Sequence, residues 1–384
     1  MRGMRIFILT WAAVLAMLCS AIAGAPCLIA PSRELRANAQ APGATDDLGW
    51  SVLTSGIDTN LRGVSAAPFG KPMPGQPGDV LQERHIAVWA SGSNGVILTS
   101  TDLGKTWKRL HVAGGDALDF RGIVAFDAKT ALVMSSGEGD KSRIYRTTDG
   151  GNTWKLEFTD KRPSFFLDAL VCKSECYALS DPVDGKFVLV ATQHDKNWKT
   201  LPSDGMPAAL PGEGAFAASG TALAIDPDGE IYFGTGGGAS ARVFHSMDRG
   251  KTWTATEVPV FSGNPSSGIF SIVATGDEVV VVGGDYKSPT RADRVAAYSP
   301  NLGRMWRLAA EQPGGYRSAV VSMLDLMVAV GPGGEDVSHD RGIHWKHIGS
   351  LDLNAAFVSD IHHGWAVGAN GTIVHFSNPM QLME

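Results

Sequence analysis

The sequence predicts an all-β fold, a seven-bladed β-propeller with four strands in each blade. Three observations carry that expectation. An eight-residue turn, with an Asp five residues before a Trp, recurs along the chain. A pair of short apolar segments precedes each copy. The two ends of the repeating region each hold half of one further unit. The 46 glycines are scattered rather than clustered, and apolar runs are short and separated by turn residues, as all-β chains require.

The chain begins with a basic pentapeptide, Met1-Arg2-Gly3-Met4-Arg5, followed by an uncharged stretch at 6–19 and the small-residue exit Ala21-Ile22-Ala23. This order reads as a signal peptide over residues 1–23. The alternative is an anchor helix, for which the apolar stretch is short. Cys19 and Cys27 follow Leu18 and Pro26, whereas lipid attachment calls for a small residue there. The protein is therefore expected to be exported, periplasmic or secreted. Residues 24–47, rich in Pro, Ser, Ala and Asn, read as a flexible lead. Residues 48–384 suffice for one domain with a sizeable core, and no segment after the signal looks able to span a membrane. Formal net charge is −6, and removing Arg2 and Arg5 takes it to −8. A nucleic-acid binder is more often basic, so no nucleic-acid partner is expected.

The clearest copies of the turn are Ser100-Thr101-Asp102-Leu103-Gly104-Lys105-Thr106-Trp107, Thr147-Thr148-Asp149-Gly150-Gly151-Asn152-Thr153-Trp154 and Ser246-Met247-Asp248-Arg249-Gly250-Lys251-Thr252-Trp253. A fourth runs from Ser338 through Asp340 to Trp345. A fifth carries Asn301 in place of Asp before Trp306, and an eroded copy lies around Asp195 and Trp198. The Asp can accept hydrogen bonds from turn N–H groups, the Gly permits a positive φ, and the Trp can pack between sheets. Asp102, Asp149, Asp248 and Asp340 are thus expected to be structural, as are Trp107, Trp154, Trp253 and Trp345.

Before each turn lies a short apolar strand ending in Gly-rich sequence, such as Ala87-Val88-Trp89-Ala90-Ser91-Gly92 or Gly364-Trp365-Ala366-Val367-Gly368. Before that comes another, such as Leu61-Arg62-Gly63-Val64, Phe120-Arg121-Gly122-Ile123 or Tyr316-Arg317-Ser318-Ala319. With a strand starting at the Trp, each unit has four strands, as a propeller blade does. Trp50, Trp107, Trp154, Trp198, Trp253, Trp306 and Trp345 count seven units. Asp47-Leu48-Gly49-Trp50 is the back half of a turn, and residues 353–378 supply three strands and the front half. The N-terminal strand is expected to complete the C-terminal blade and leave no open edge. Six blades with a stray strand is the alternative.

These turns resemble the Asp-box, or bacterial neuraminidase repeat, of sialidases and many other propellers. Leu61-Arg62-Gly63-Val64, the run from Gly364 to Thr372 and the Trp spacing are similar to bacterial relatives of the photosystem II stability and assembly factor, over about residues 48 to 378. That resemblance implies a non-catalytic binder that holds a protein client through a surface including arginines. Ser180-Asp181-Pro182, Phe216-Ala217-Ala218-Ser219-Gly220-Thr221, Val282-Gly283-Gly284-Asp285-Tyr286 and Gly315-Tyr316-Arg317-Ser318-Ala319 are similar to exported bacterial members, some of which carry an oxidoreductase label. No dinucleotide fingerprint, haem motif or metal ligand set accompanies them. Gly234-Thr235-Gly236-Gly237-Gly238 lacks the helix that phosphate cradling needs. No cofactor and no metal are expected.

The innermost strand of each blade lines the central channel. Aligning these strands gives one residue per blade: Arg62, Arg121, Asp168, Glu213, Phe270, Arg317 and Asn354. Three arginines at a channel mouth can grip a carboxylate or phosphate; alternatively they pair with acids such as Asp168 and Glu213. Asp285 and Tyr286 join the candidate ligand-binding set, on loops at one rim. The expected partner is a protein client or an anionic ligand, bound by a monomer. A sialidase-like glycoside hydrolase is the alternative, because arginines, Tyr286, Tyr316, Glu213, Asp181 and Asp285 supply the residue types. The sialidase core is usually six-bladed, however, and its arginine-box motif is missing. Asp181-Pro182-Val183-Asp184-Gly185 reads as a turn, and His362-His363 as a solvent-facing loop pair. Cys172 and Cys176 flank a short turn and suit a small disulfide in an exported protein, free thiols being the alternative.

Overall fold

A computed structural model of the chain describes residues 50–70, 85–193, 197–323, 326–360 and 362–377. The expectations for the signal peptide, the lead, Cys19, Cys27 and Asp195 fall outside these residues. The described chain forms seven antiparallel four-stranded sheets, the blades of a β-propeller. The inner strands of blades 1 to 7 are Leu61–Pro68, Asp119–Ala125, Leu167–Cys172, Leu223–Ile225, Ser267–Thr275, Ala319–Met323 and Leu353–Asp360. In blades 1 to 6 the strands run in sequence order from the channel outward. Blade 7 takes its outermost strand, Trp50–Thr54, from the other end of the chain. That strand pairs antiparallel with Thr372–Ser377, Trp50 opposite Phe376. The ring is closed as expected.

Among the described residues seven apolar clusters hold the blades together, one in each seam, and each contains or packs against one of the seven tryptophans that start or precede an outer strand. Trp50 packs with Val328 and Val330 of blade 6. Trp107 lies against the cluster that joins blade 7 to blade 1, and Trp154 against the one joining blades 1 and 2. Trp198, Trp253, Trp306 and Trp345 fill the four remaining seams. Each of these seven reaches back to the preceding blade, so each repeat carries the adhesive for its own docking.

The box turns show why their residues recur. In blade 1 the Asp102 carboxylate accepts from the Thr106 N–H at 2.9 Å and the Thr106 hydroxyl at 2.6 Å. The Ser100 hydroxyl donates to Asp102 at 2.7 Å and accepts the Gly104 N–H at 2.8 Å. The same links recur at Thr147-Asp149-Gly151-Thr153 and Ser246-Asp248-Gly250-Thr252. In blade 5 Asn301 accepts the Met305 N–H and the Ser299 hydroxyl, Met305 standing where the other turns have a hydroxyl, and in blade 6 His344 replaces the Thr. The residue after the Asp is left-handed even when it is Leu103, Arg249 or Arg341. The hydrogen-bonded clamp, with the following Gly, holds it there.

Cys172 and Cys176 face each other across the hairpin between the first two strands of blade 3 and are disulfide-bonded. The His362-His363 expectation needs correction. His363 begins the strand His363–Gly368, and its Nδ1 lies 3.1 Å from His375 Nε2. Burial beside a second imidazole lowers His375 to about 4, so this pair stays neutral.

Two outcomes follow. Trp50→Ala should cost about 3–5 kcal/mol in urea denaturation, because it empties the seam that closes the ring. The hydrogen bonds from the Thr153 hydroxyl and N–H hold Asp149 at about 2, and those from the Thr252 N–H and hydroxyl do the same for Asp248. Both folded values lie below the ordinary 3.8, so this stabilisation is full above pH ~4 and is lost as pH falls towards 2. Thermal melts of Asp149→Asn and Asp248→Asn should fall less steeply than the native protein between pH 4 and 2.

Candidate functional site

Five inner strands carry a β-bulge near their start. The residue skipped in the pairing is Arg62, Arg121, Asp168, Phe270 or Asn354, according to the blade. A bulge re-aims the extra residue, and all five side chains line one cavity of about 540 Å³ at one end of the channel. The alignment of these five positions therefore holds.

Blades 4 and 6 depart from it. In blade 6 Ala319 pairs with Val330, just before Gly331, as Ala355 pairs with Val367 before Gly368 in blade 7. Ser318, not Arg317, is thus the counterpart of Asn354, and Ser318 lines the cavity. Arg317 is one residue out of register. Its side chain is 0% exposed and is ion-paired through Nε to Asp336 on the third strand of its own blade, with Nη1 donating to the Tyr316 carbonyl at 2.9 Å. Glu213 is likewise outside the cavity lining. It is ion-paired to Arg242 on the third strand of blade 4 and accepts the Thr235 hydroxyl at 2.6 Å and the Leu210 N–H at 2.7 Å. The three-arginine ring is therefore a pair, Arg62 and Arg121. Asp285 also stays out, capping its own loop by accepting the Lys287 N–H at 2.9 Å. Tyr286 lines the cavity and is 47% exposed.

The floor of the cavity is a segment of blade 4, residues 216–221, laid across the channel. The Ala217 carbonyl accepts from Arg121 Nη1 at 3.1 Å and Arg62 Nη2 at 3.5 Å. The Ser219 hydroxyl donates to the Ser318 carbonyl at 2.8 Å, and the Thr221 and Ser271 hydroxyls are 2.7 Å apart. Gly220 has φ +74° and packs against the Arg121 carbonyl, where a side chain would meet backbone. On the far side of this plug a smaller space of about 170 Å³ is lined by residues such as Gly63, Gly122, Cys172 and Phe357.

The cavity has three kinds of wall. Arg121 pairs with Asp119 at 2.7 Å, whereas among the described residues Arg62 makes no ion pair and its buried Nε has no hydrogen-bond partner. Burial and the neighbouring Arg121 lower the Arg62 pKa. Opposite in sign are Asp168 and Asp181. Burial, then the proximity of Asp181, raises Asp168 well above the usual carboxylate range, with Arg121 opposing. Burial raises Asp181 to about 6, although its Oδ1 accepts the Ala215 N–H at 2.9 Å. The third wall is aromatic. Phe216 stacks on Phe270 at 3.9 Å, and Tyr316 meets Phe270 edge-on at 4.7 Å. Burial raises the Tyr316 pKa, so its hydroxyl stays protonated. Among the described residues no group of three or more His, Cys, Asp or Glu is placed to hold a metal ion.

Sequence reasoning weighed Asp181 first as a turn residue and as a candidate acid of the hydrolase alternative, and gave Phe216 and Ala217 no role in a site. Arg317→Leu should cost about 3–5 kcal/mol in chemical denaturation, since it strands Asp336 in the interior. Arg121→Gln, at a half-exposed pair, should cost about 1 kcal/mol or less.

The BNR-Asp box repeat family matches residues 337–348, the turn of blade 6. No curated protein matches the sequence. Among solved structures the chain is similar to YCF48 bound to a D1 peptide, with TM-score 0.57 and 14% identity, covering 88% of this chain and 99% of that one. It is similar to YCF48 from Cyanidioschyzon merolae, with TM-score 0.57 and 17% identity, covering 86% and 99%. It also resembles the extracellular domain of the putative one-component system BT4673 from B. thetaiotaomicron, with TM-score 0.55 and 13% identity, covering 85% and 39%. The chain is a seven-bladed β-propeller built on Asp-box repeats, with the fold of the photosystem II assembly factor YCF48.

Proposed function

We propose that this propeller is an exported, monomeric, non-catalytic binding scaffold that draws a carboxylate of its partner into the Arg62–Arg121 end of the channel. One observation supports this most. Arg62 is a largely buried guanidinium with no direct ion pair among the described residues, the nearby Asp119 being bonded to the second arginine, Arg121, at the wall of an open cavity. A buried charge left unpaired is costly, and a carboxylate accepting from guanidinium N–H groups offsets that cost. YCF48 binds a D1 peptide, which by analogy of fold favours a protein client here. A small organic acid offers the same carboxylate.

The same cavity favours a second reading. Asp168 and Asp181 are two carboxyl groups in one aromatic-walled pocket, the raw material of glycoside hydrolysis. Against the sialidase form of that chemistry, Glu213 is tied to Arg242 rather than placed to activate a tyrosine.

Mature protein used as bait on an envelope extract, and titrated with small carboxylic acids, separates the two sources of the carboxylate. In either arm Arg62→Glu with Arg121→Glu should weaken binding at least about tenfold, each lost charge-assisted bond being worth roughly 1.5–3 kcal/mol. Undiminished binding by the double variant, at native thermal stability, would contradict the proposal. Turnover of aryl glycosides or sialosides that Asp168→Asn abolishes would replace it with the hydrolase.

A further inference from the structure

The arginines are only one pole of the cavity. On blade 3 the Asp168 side chain is turned into the same space. The residue is 1% exposed, and its Oδ2 has no hydrogen-bond partner. Asp181 lies beside it with one oxygen committed to the Ala215 N–H. An anion bound on Arg62 alone would leave the Asp168 Oδ2 without a partner. The arrangement lacks a cation with several N–H donors facing Asp168 and Asp181, and an ammonium group is that cation.

We infer that the natural ligand is a small zwitterion of the α-amino-acid type, its carboxylate on Arg62, its ammonium on Asp168 and Asp181, and a large apolar or aromatic side chain against Phe270. This rests on the carboxylate site proposed above and adds a second pole to it.

Three features of the fold support the choice. Arg62, Arg121 and Asp168 occupy the same bulge position on three successive blades, which sets both poles at one level of the channel. The third wall is the Phe216–Phe270 stack with Tyr316 and Tyr286 edge-on to it, an apolar surface suited to a side chain. The Ala217–Ala218 floor shuts the channel beneath the cavity, so a ligand enters and leaves by one mouth, as a free small molecule can and a threaded chain cannot. The volume of about 540 Å³ accommodates a free aromatic amino acid with ordered water.

Calorimetric titration of the full chain at neutral pH with three probes tests the inference: phenylalanine, 3-phenylpropionate (which lacks the ammonium) and 2-phenylethylamine (which lacks the carboxylate). Phenylalanine should bind at least about tenfold more tightly than either half-molecule. Asp168→Asn should lose that advantage while leaving 3-phenylpropionate unchanged, and Arg62→Gln should weaken phenylalanine and 3-phenylpropionate alike. The three-probe comparison on the native chain stands even if a variant fails to fold. Equal affinity for phenylalanine and 3-phenylpropionate would overturn the second pole, and the carboxylate site would survive if 3-phenylpropionate still depended on Arg62. Binding by none of the three would overturn the inference outright, leaving the scaffold reading to the client experiment.

Discussion

Seven apolar seams, each joined by a tryptophan reaching back to the preceding blade, are the constraint on which everything else in this protein depends. A single four-stranded blade buries neither of its faces; only stacking on its neighbours does so. Each seam therefore supplies burial that a lone blade lacks, with the large Trp ring as one of its members. The box turn that precedes each Trp is a fixture for that ring. Its carboxylate and hydroxyl hold two consecutive left-handed residues, such as Leu103 and Gly104, and so set where Trp107 emerges. Because the stabilisation lies between blades, the ring must close, and Trp50 with its strand makes the last seam.

A closed ring sets the inner strands around one axis, and the local departures from regular pairing there create the site. Five bulges turn residues into the channel. Two buried ion pairs, Glu213–Arg242 and Arg317–Asp336, tie the mouth ends of blades 4 and 6 to their own third strands. The acid is on the inner segment in one and on the third strand in the other, yet the geometry is shared. Such pairs contribute more to fixing conformation than to net stability, since desolvation offsets much of the attraction. They leave Arg62 as the cavity's unpaired cation and Asp168 as its unpaired acid.

Much of this was legible in the sequence because a propeller is periodic. The Asp–Trp spacing gave the blades, the half-turn at Trp50 gave the closure, and the strand pattern gave four of the five bulge positions without ambiguity. Arg317 was misplaced because Tyr316-Arg317-Ser318-Ala319 imitates Leu61-Arg62-Gly63-Val64, and two alignments one residue apart fit equally well. The pairing of Ala319 with Val330 decides between them, and that is a long-range fact. Glu213 was misplaced because blade 4 has only a three-residue inner strand, its small residues 217–221 having gone to plug the channel. Asp181 was named as a turn residue and a candidate acid, but Asp-Pro says nothing about its burial beside Asp168. Periodicity reveals scaffold, whereas a site lies where the repeats differ.

The central claim is that Arg62 stands in the cavity as a cation awaiting an anion. Anomalous diffraction from crystals grown in bromide tests it most directly. An ordered bromide between Arg62 and Arg121, above the Ala217 carbonyl, is the result expected. A cavity free of bromide, with Arg62 turned onto a carboxylate of its own chain, would contradict it.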